Sequence, residues 1–241
     1  MRYGIFSDIH SNFEALSVVL DSLKDERIER YLCIGDIVGY CTNPSECIRM
    51  VKDLSPVVVA GNHDYGACAK LDLKYFVPHA KEALQWTQGV LAKSDVDFLA
   101  GLPLVHNEEN FVLVHGSLGN PQEFYYLNNF EEADRTFSVL EKQVCFVGHT
   151  HRPGVFVERE GEIFHKAVGV LELEAHKRYI VNVGSVGQPR DGDSRACFVV
   201  YDTEAKTIEL KRVEYNLKPT QEKILNAGLP KFLAMRLAQG K

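Results

Sequence analysis

Seven residues of the kinds that bind hard metal ions follow short apolar runs in this chain. They are Asp8, His10, Asp36, Asn62, His115, His149 and His151. Their motifs read Asp-Ile-His (8–10), Gly-Asp (35–36), Gly-Asn-His-Asp (61–64), His-Gly (115–116) and Gly-His-Thr-His (148–151). Carboxylate, imidazole and amide-oxygen ligands suit manganese, iron or zinc, whereas a closed structural zinc or an iron–sulfur cluster would use cysteine. Together the five motifs predict a site for two metal ions, and therefore a hydrolase.

Two divalent ions at such a site would be only partly neutralised by its aspartates. Asp8 and Asp36 supply two negative charges against four positive ones. The remaining positive charge would attract a phosphate group and acidify a water molecule. Two metal ions roughly 3.5–4 Å apart are an established arrangement for in-line displacement at phosphorus. The ligand types therefore favour hydrolysis of a phosphoester bond.

Each motif stands directly after a segment with the pattern of a buried strand. The predicted strands cover residues 2–7, 31–34, 57–60, 111–114 and 144–147, and residues 61–64 are predicted as an exit loop. Helical patterns alternate with them, beginning with a capping box of Ser11 and Glu14. In open α/β sheets, ligands bind beyond the carboxyl ends of the strands. We therefore expect the fold to gather side chains that lie more than 140 positions apart in the sequence.

Beyond residue 154 the pattern changes to strands joined by short turns. The predicted strands are 155–158, 162–168, 170–174, 179–183, 195–202 and 207–214. A tail from about residue 217 predicts one or two helices and contains no residues that suggest catalysis. No linker-like composition interrupts the chain, so residues 1–241 are predicted to form a single α/β domain that includes this tail.

The overall composition limits the class of protein and its partners. Hydrophobic residues make up 45% of the chain and charged residues 25%, as in ordinary globular proteins. The net charge of -6 argues against a surface that binds nucleic acid stably. We expect no signal peptide and no membrane segment, because apolar runs of the required length are missing from the sequence. The six cysteines show no disulfide or Cys-x-x-Cys spacing, which predicts reduced thiols and a cytoplasmic protein.

The ordered series of five motifs resembles the calcineurin-like metallophosphoesterase superfamily. The resemblance covers residues 1 to about 200, and residues 184–193 (Gly-Ser-Val-Gly-Gln-Pro-Arg-Asp-Gly-Asp) resemble its small bacterial and archaeal, diadenosine-tetraphosphatase-like branch. It implies a β-sandwich of two mixed sheets flanked by helices in four layers, α/β/β/α. It also implies two divalent metal ions as cofactors, with manganese as the first candidate and iron, zinc or nickel as alternatives.

The same resemblance implies a role for each motif residue. The first metal would be bound by Asp8, His10 and His151, and the second by Asn62, His115 and His149. Asp36 would bridge the two metals, and a hydroxide between them would be the nucleophile. His63 would assist the leaving-group oxygen and would be oriented by the carboxylate of Asp64. Asn12 and Arg190 are further candidates for contacts with the phosphate.

Several alternatives stay open at the level of sequence. The chain could be a binding module with the same fold and little catalytic activity, or it could be a nuclease. The aromatic residues that follow site motifs fit either a substrate pocket or core packing; they are Tyr40, Tyr65, Tyr125 and Tyr126. The partner implied is a small phosphorylated molecule such as a nucleotide, either a monoester or a diester. Nothing in the sequence determines the oligomeric state, and a homo-oligomer is compatible with it.

Overall fold

Twelve strands, eight α-helices and two short 3₁₀ helices (Leu73–Tyr75 and Pro121–Glu123) are the regular elements of the described part of the chain. The computed structural model describes residues 1–54, 56–167 and 169–241. The strands are β1 (Arg2–Phe6), β2 (Arg30–Cys33), β3 (Val57–Val58), β4 (Val105–Asn107), β5 (Phe111–Val114), β6 (Val144–Val147), β7 (Gly154–Arg159), β8 (Glu162–Lys166), β9 (Val170–Glu172), β10 (Arg178–Asn182), β11 (Ala196–Asp202) and β12 (Thr207–Val213). The helices are α1 (Phe13–Lys24), α2 (Pro44–Asp53), α3 (Asn62–Ala67), α4 (Pro78–Val90), α5 (Lys93–Ala100), α6 (Phe130–Val139), α7 (Leu217–Asn226) and α8 (Lys231–Leu237).

The strands form two mixed sheets of six strands each. The first sheet has the order β3-β2-β1-β11-β12-β9, and the second has the order β4-β5-β6-β10-β7-β8. Strands β1, β2 and β3 pair in parallel, as do β5, β6 and β10, while the remaining pairs are antiparallel. The predicted α/β class with two mixed sheets is therefore confirmed.

Side chains alternate across each sheet and so define four layers. On β11, Val199 and Tyr201 face the second sheet, whereas Phe198 and Val200 pack with α1. Successive residues of a strand point to opposite faces, so a fully apolar strand must be covered on both sides. In the second sheet, one face of β6 joins the same inter-sheet core and the other packs against α6. The resulting order is helices, sheet, sheet, helices.

The parallel strands of both sheets bring the motifs to one edge of the sandwich. Strands β1, β2 and β3 end just before motifs 8–10, 35–36 and 61–64, and β5 and β6 end just before motifs 115–116 and 148–151. Because carboxyl ends of parallel strands share one edge, the crevice predicted from the sequence lies between the two sheets. The expected placement of the motifs is confirmed.

Some local predictions were wrong. Asn12, not Ser11, caps α1, because its side chain accepts a hydrogen bond from the backbone N–H of Ala15 at 3.2 Å. Residues 62–64, predicted as a loop, begin α3, and β4 had not been predicted. Strand β8 covers Glu162–Lys166, and residue 168, which ended the predicted strand, lies outside the described residues. No helix of the described chain has the length and apolar character needed to cross a membrane.

Candidate metal centre

The first group of ligand-type side chains is built from residues of both sheets. Asp8, His10, Asp36 and His151 each offer one atom within 4.8 Å of the others. The Nε2 atom of His151 lies 3.2 Å from Oδ1 of Asp8 and 3.0 Å from Nε2 of His10. Two imidazole nitrogens at that separation, beside a carboxylate, converge on one point. The geometry fits a cation site, and the four candidate ligands come from positions between 8 and 151 of the chain.

A second group shares Asp36 with the first. Asp36, His115 and His149 also offer ligand atoms within 4.8 Å of one another. The Nε2 atom of His115 lies 3.3 Å from Oδ2 of Asp36, and the rings of His115 and His149 have their centroids 4.9 Å apart. Asn62 lines the same cavity as His149. One carboxylate is thus common to two adjacent groups, which is the arrangement that a bridging ligand requires.

Several ligand-type atoms of this centre are buried without a partner. Among the described residues, Asp8 Oδ1, Asp36 Oδ2, Asn62 Oδ1 and His115 Nε2 have no hydrogen-bond partner and almost no solvent exposure. A buried polar atom that lacks a partner costs about 1–3 kcal/mol, and more if it is charged. Four atoms of this kind in one region of the fold are accounted for if bound ions complete their coordination. The residues present therefore fit a pair of cations.

Three histidines have their rings oriented by backbone carbonyls. The Nδ1 atoms of His10, His115 and His151 lie 3.1, 2.6 and 2.6 Å from the carbonyl oxygens of Val38, Ile34 and Gln188. An Nδ1–H that donates to a carbonyl fixes the tautomer, so the Nε2 lone pair remains free for a metal ion. Sequence reasoning did not find these carbonyls, because a backbone oxygen carries no residue signature.

The backbone of the site is strained at the ligand positions. Asp8, His10, Asp36, His149 and His151 all have positive φ angles, between 50° and 66°. This conformation costs a residue other than glycine roughly 1–2 kcal/mol. Strain of this kind persists only where surrounding structure enforces it, and it clusters at functional sites. Five of the seven candidate ligands have this conformation, which is typical of a functional site.

Burial and neighbouring charges set the protonation of the cluster. Burial lowers the pKa of His149 to about 3 and also lowers the pKa values of His10 and His151, so these rings are neutral near pH 7. Burial raises the pKa of Asp36, but the nearby His115 outweighs it, and the pKa falls below its usual range. Burial lowers the pKa of His115, whereas Asp36 and Asp8 raise it, to about 9. The neutral imidazoles of His10, His149 and His151 and the ionised carboxylates are in the forms that bind metal ions, whereas His115 would release its proton when a cation binds.

Gly61 allows the Asp36 loop to approach α3, and its substitution gives a first prediction. A methyl group at Gly61 would lie 2.0 Å from Oδ1 of Asp36. We expect Gly61→Ala to displace this carboxylate and to lower metal content and turnover about 10–100-fold without removing a ligand. Elemental analysis and steady-state assays measure both. The matched control is Gly89→Ala in α4, where an added methyl group meets nothing within 4 Å; full metal content in Gly61→Ala would contradict the expectation.

His63 lies beside the two groups, but Asp64 does not orient it. His63 is 4% exposed, and its ring centroid lies 4.8 Å from that of His10. Among the described residues its Nδ1 has no hydrogen-bond partner. The Asp64 carboxylate instead accepts backbone N–H groups, at 2.8 Å from Ile37 and 3.0 Å from Gly61. Adjacent residues of a helix point about 100° apart, so His63 and Asp64 face different surroundings. The Asp64 carboxylate holds the loop of Asp36 through these hydrogen bonds. Among the described residues, the carboxylate partner that the resemblance implied for His63 is not present.

Burial shifts the pKa values of His63 and Asp64 in opposite directions. Burial lowers the pKa of His63 to about 4, against a raising influence of Asp36. Burial and the nearby Asp36 raise the pKa of Asp64 to about 7. A buried imidazole is disfavoured in its charged form, as is a buried carboxylate. His63 is consequently neutral near pH 7 in the protein alone.

The two candidate phosphate contacts have different surroundings. Asn12 is fully buried, and its amide group donates to Gly187 O and to the Tyr215 hydroxyl, both at 2.9 Å. Both amide hydrogens of Asn12 are therefore used in hydrogen bonds within the protein, and its side chain caps helix α1 instead of being free to contact a phosphate. Arg190 faces the centre: its backbone N–H donates to the carbonyl of His151 at 3.1 Å, and its guanidinium reaches the Tyr40 hydroxyl at 3.3 Å.

A cavity of about 630 Å³ opens beside the centre. It is lined by Asn62, His63 and His149 together with Tyr40, Phe76, Phe124, Tyr125 and Tyr126. The Tyr126 ring stacks on His149 with a centroid separation of 3.9 Å. Tyr65 does not line this cavity, and its hydroxyl donates to the carbonyl of Leu102 at 2.9 Å. Phe76 and Phe124 had not been predicted to line the site, because no motif or spacing distinguishes them from core residues.

Comparisons with known proteins give one family and close structural relatives. A model of the calcineurin-like phosphoesterase superfamily domain matches residues 1–206. An uncharacterised protein of Methanocaldococcus jannaschii is 39% identical over 242 residues, which cover 99% of this chain and 98% of that protein. The crystal structure of a metallophosphoesterase from Sphaerobacter thermophilus is 38% identical, with a TM-score of 0.87, and the match covers 100% of this chain and 99% of that one. A candidate diadenosine tetraphosphatase shares the fold with a TM-score of 0.54 at 13% identity, over 89% of this chain and 95% of that one.

Proposed function

Because this chain belongs to the calcineurin-like phosphoesterase superfamily, we propose that it hydrolyses a small phosphoester at a centre of two divalent cations. Members of the superfamily are generally phosphoester hydrolases. The observation that carries the proposal is that Asp36 is common to two adjacent groups of buried ligand-type side chains. A single structural metal ion would need only one such group.

The proposed ligand sets follow the two groups. Asp8, His10 and His151 would hold the first cation, and Asn62, His115 and His149 would hold the second, with Asp36 offering a ligand atom to both groups. When bound, the cations would polarise the phosphoryl oxygens and lower the pKa of water, so that a nucleophile is available near pH 7. Nitrogen and oxygen ligands without thiolates suit manganese, with iron, zinc or nickel as alternatives.

The protein's own residues would position the substrate and handle the leaving group. His63 borders the cavity next to Asn62 and His149, and we assign its neutral imidazole a hydrogen bond from its N–H to the departing oxygen, which would stabilise the charge that develops there. Loss of one such donor typically costs about 10²–10³-fold. Asp64 supports this step only indirectly, because its carboxylate holds the loop of Asp36 to the start of α3.

The cavity indicates the kind of organic group that the substrate carries. Its lining includes the aromatic side chains of Tyr40, Phe76, Phe124, Tyr125 and Tyr126 and one ordinarily charged residue, Glu123. Flat aromatic walls favour a planar or apolar group, and Glu123 disfavours a second phosphate on this side. We therefore propose a small phosphomonoester or phosphodiester whose organic part is aromatic or apolar, such as a nucleoside.

The direct test is a metal analysis followed by assays. Purified protein should contain up to two divalent ions per chain, and manganese-loaded protein should hydrolyse p-nitrophenyl phosphate or its bis-ester with loss of activity in chelator. Mononucleotides, cyclic nucleotides, dinucleoside polyphosphates and phosphopeptides then rank the substrates. Full metal content without hydrolysis of any of them would favour the alternative of a binding module. Preferential degradation of single-stranded DNA would favour a nuclease, against which the net charge of -6 argues.

We also propose a cytoplasmic location. The support is that all six cysteines are free in the structure, and five of them are buried. Burial raises the pKa values of Cys33 and Cys145 far above their usual range, so these thiols are inert. Structural, reduced cysteines are typical of a reducing compartment.

A further inference from the structure

Two arginines lie against the same tyrosine at the edge of the metal centre. The guanidinium carbons of Arg190 and Arg236 lie 5.6 and 6.0 Å from the centroid of the Tyr40 ring. Arg190 belongs to the loop after β10, whereas Arg236 comes from α8, almost fifty positions further along the chain. The two positive charges therefore meet only in the folded protein.

Both guanidinium groups donate to oxygen atoms of the protein: Arg190 to Oε1 of Gln188 at 2.8 Å and to the Tyr40 hydroxyl at 3.3 Å, and Arg236 to the main-chain oxygen of Lys241. In the part of the chain that the structure describes, neither arginine forms an ion pair with an aspartate or a glutamate. Arg236 is only 9% exposed, and burial together with the Arg190 charge lowers its pKa to about 10. Burying a cation next to another cation is unfavourable unless an anion is supplied. The two guanidinium groups are therefore more typical of an anion-binding site than of a purely structural contact.

The arginines adjoin the residues assigned to catalysis. The Tyr40 ring centroid lies 4.6 Å from that of His10 and 4.5 Å from that of His63. Arg190 is joined to the centre through its backbone N–H, which donates to the carbonyl of His151 at 3.1 Å. Tyr40 also lines the substrate cavity. An anion held by the two guanidinium groups would consequently be a neighbour of the metal-bound phosphate.

The C-terminal tail holds Arg236 firmly in this position. Leu233, Ala234 and Leu237 of α8 are buried in one cluster with Tyr40 and with residues of α4. The carbonyl of Gly240 accepts a hydrogen bond of 2.9 Å from Gly192 N–H, which ties the end of the tail to the loop of Arg190. Helix α8 is therefore packed as part of the site and is not a loose appendage.

We propose that Arg190 and Arg236 form an anion-binding site that receives a phosphate group of the substrate beside the metal centre. Planar guanidinium groups match the geometry of phosphate oxygens and bind them with charge-assisted hydrogen bonds. The phosphate is either the one being hydrolysed or a second phosphate of the same substrate, and among the described residues neither arginine lines the cavity to which Glu123 belongs. The inference rests on the proposed function and extends it, because it gives the C-terminal tail a part in substrate binding.

Binding of inorganic phosphate tests the site without any turnover. The full chain as purified is titrated with phosphate by calorimetry, and Arg236→Gln should weaken binding about tenfold or more, as expected for a lost charged hydrogen bond. The control is Lys231→Gln, which removes the same charge from an exposed position of α8 and should change affinity less than twofold. In the parent protein, saturating phosphate should slow hydrogen exchange in residues 231–237. This second measurement does not depend on the folding of a variant.

Two outcomes overturn the proposal: equal phosphate affinity of parent and Arg236→Gln protein, or unchanged exchange of α8 at saturating phosphate. Kinetics then separates the two sources of the anion. Equal loss of kcat/KM on p-nitrophenyl phosphate and on a nucleoside 3′,5′-bisphosphate places the arginines on the phosphate being hydrolysed; loss on the bisphosphate alone places them on a second phosphate. Failure of the proposed function would instead appear as missing metal or missing activity in the parent, so the two failures can be told apart.

Discussion

Replacing Asp36 with asparagine is expected to remove metal content and hydrolytic activity together. Asp36 Oδ2 points at both groups of ligands, and it has no hydrogen-bond partner among the described residues. Asparagine keeps the size of the side chain but removes one of the two negative charges that attract the cations. Losing one electrostatic stabiliser of this kind costs roughly 10²–10³-fold in turnover, and loss of the metal itself would add to that.

The variant should nevertheless fold. In the protein without metal, burial raises the pKa of Asp36, but its charge is paired with His115, and this pairing holds the pKa below its usual range although Asp64 lies nearby. Melting in chelator should therefore show Asp36→Asn folded but less stable than the parent, because the charge of His115 loses its partner. Asp134→Asn, the same chemical change at an exposed position of α6, is the control and should leave metal content and rate unchanged. Parental turnover with a full complement of metal in Asp36→Asn would remove the bridging role.

Replacing His63 with glutamine should separate metal binding from catalysis. His63 belongs to neither group of candidate ligands, yet its ring lies against that of His10 and borders the cavity. We expect unchanged metal content and a turnover that falls with the basicity of the leaving group. The loss should approach about 10²–10³-fold on an alkyl phosphate, whose departing oxygen develops the most charge and depends most on a hydrogen-bond donor. It should be small on p-nitrophenyl phosphate, whose leaving group is stable as an anion.

The comparison requires a histidine with no place in the site. His176 is exposed, and His176→Gln makes the same change of side chain. Elemental analysis of both variants, followed by kcat on an aryl and an alkyl phosphate, gives the result directly. If the His63→Gln protein hydrolysed the alkyl phosphate at the parental rate, His63 would not assist the leaving group.

The positions of the motifs could be predicted because their signals are local. An apolar run such as Phe111–Val114 predicts a buried strand, and the residue after it must stand at the carboxyl end of that strand. Five such strand ends, each with a ligand-type residue, predicted a shared edge, and the two sheets place them there. The family resemblance led to the same fold, and the domain model over residues 1–206 confirms the superfamily.

The orientation of side chains within the motifs could not be predicted. Asp64 follows His63 in the chain, and the resemblance implied that it would hold the imidazole; in the structure it accepts three backbone N–H groups, from Ile37, Val38 and Gly61. Which partner a carboxylate finds depends on the loop that packs against it, and this loop is formed by residues 36–38. Sequence distance carries no information about that packing.

The sequence by itself determined the types of candidate ligand in this protein, their order and their place behind strands. Residue type and short-range periodicity fix these properties, and both can be read along the chain. Only the tertiary structure decided which atoms meet. The pairing of β1 with β11, the carbonyls that orient the histidines and the approach of Arg236 to Arg190 all arise from contacts between distant segments. Such contacts depend on how whole layers pack together, and no local pattern in the sequence records them.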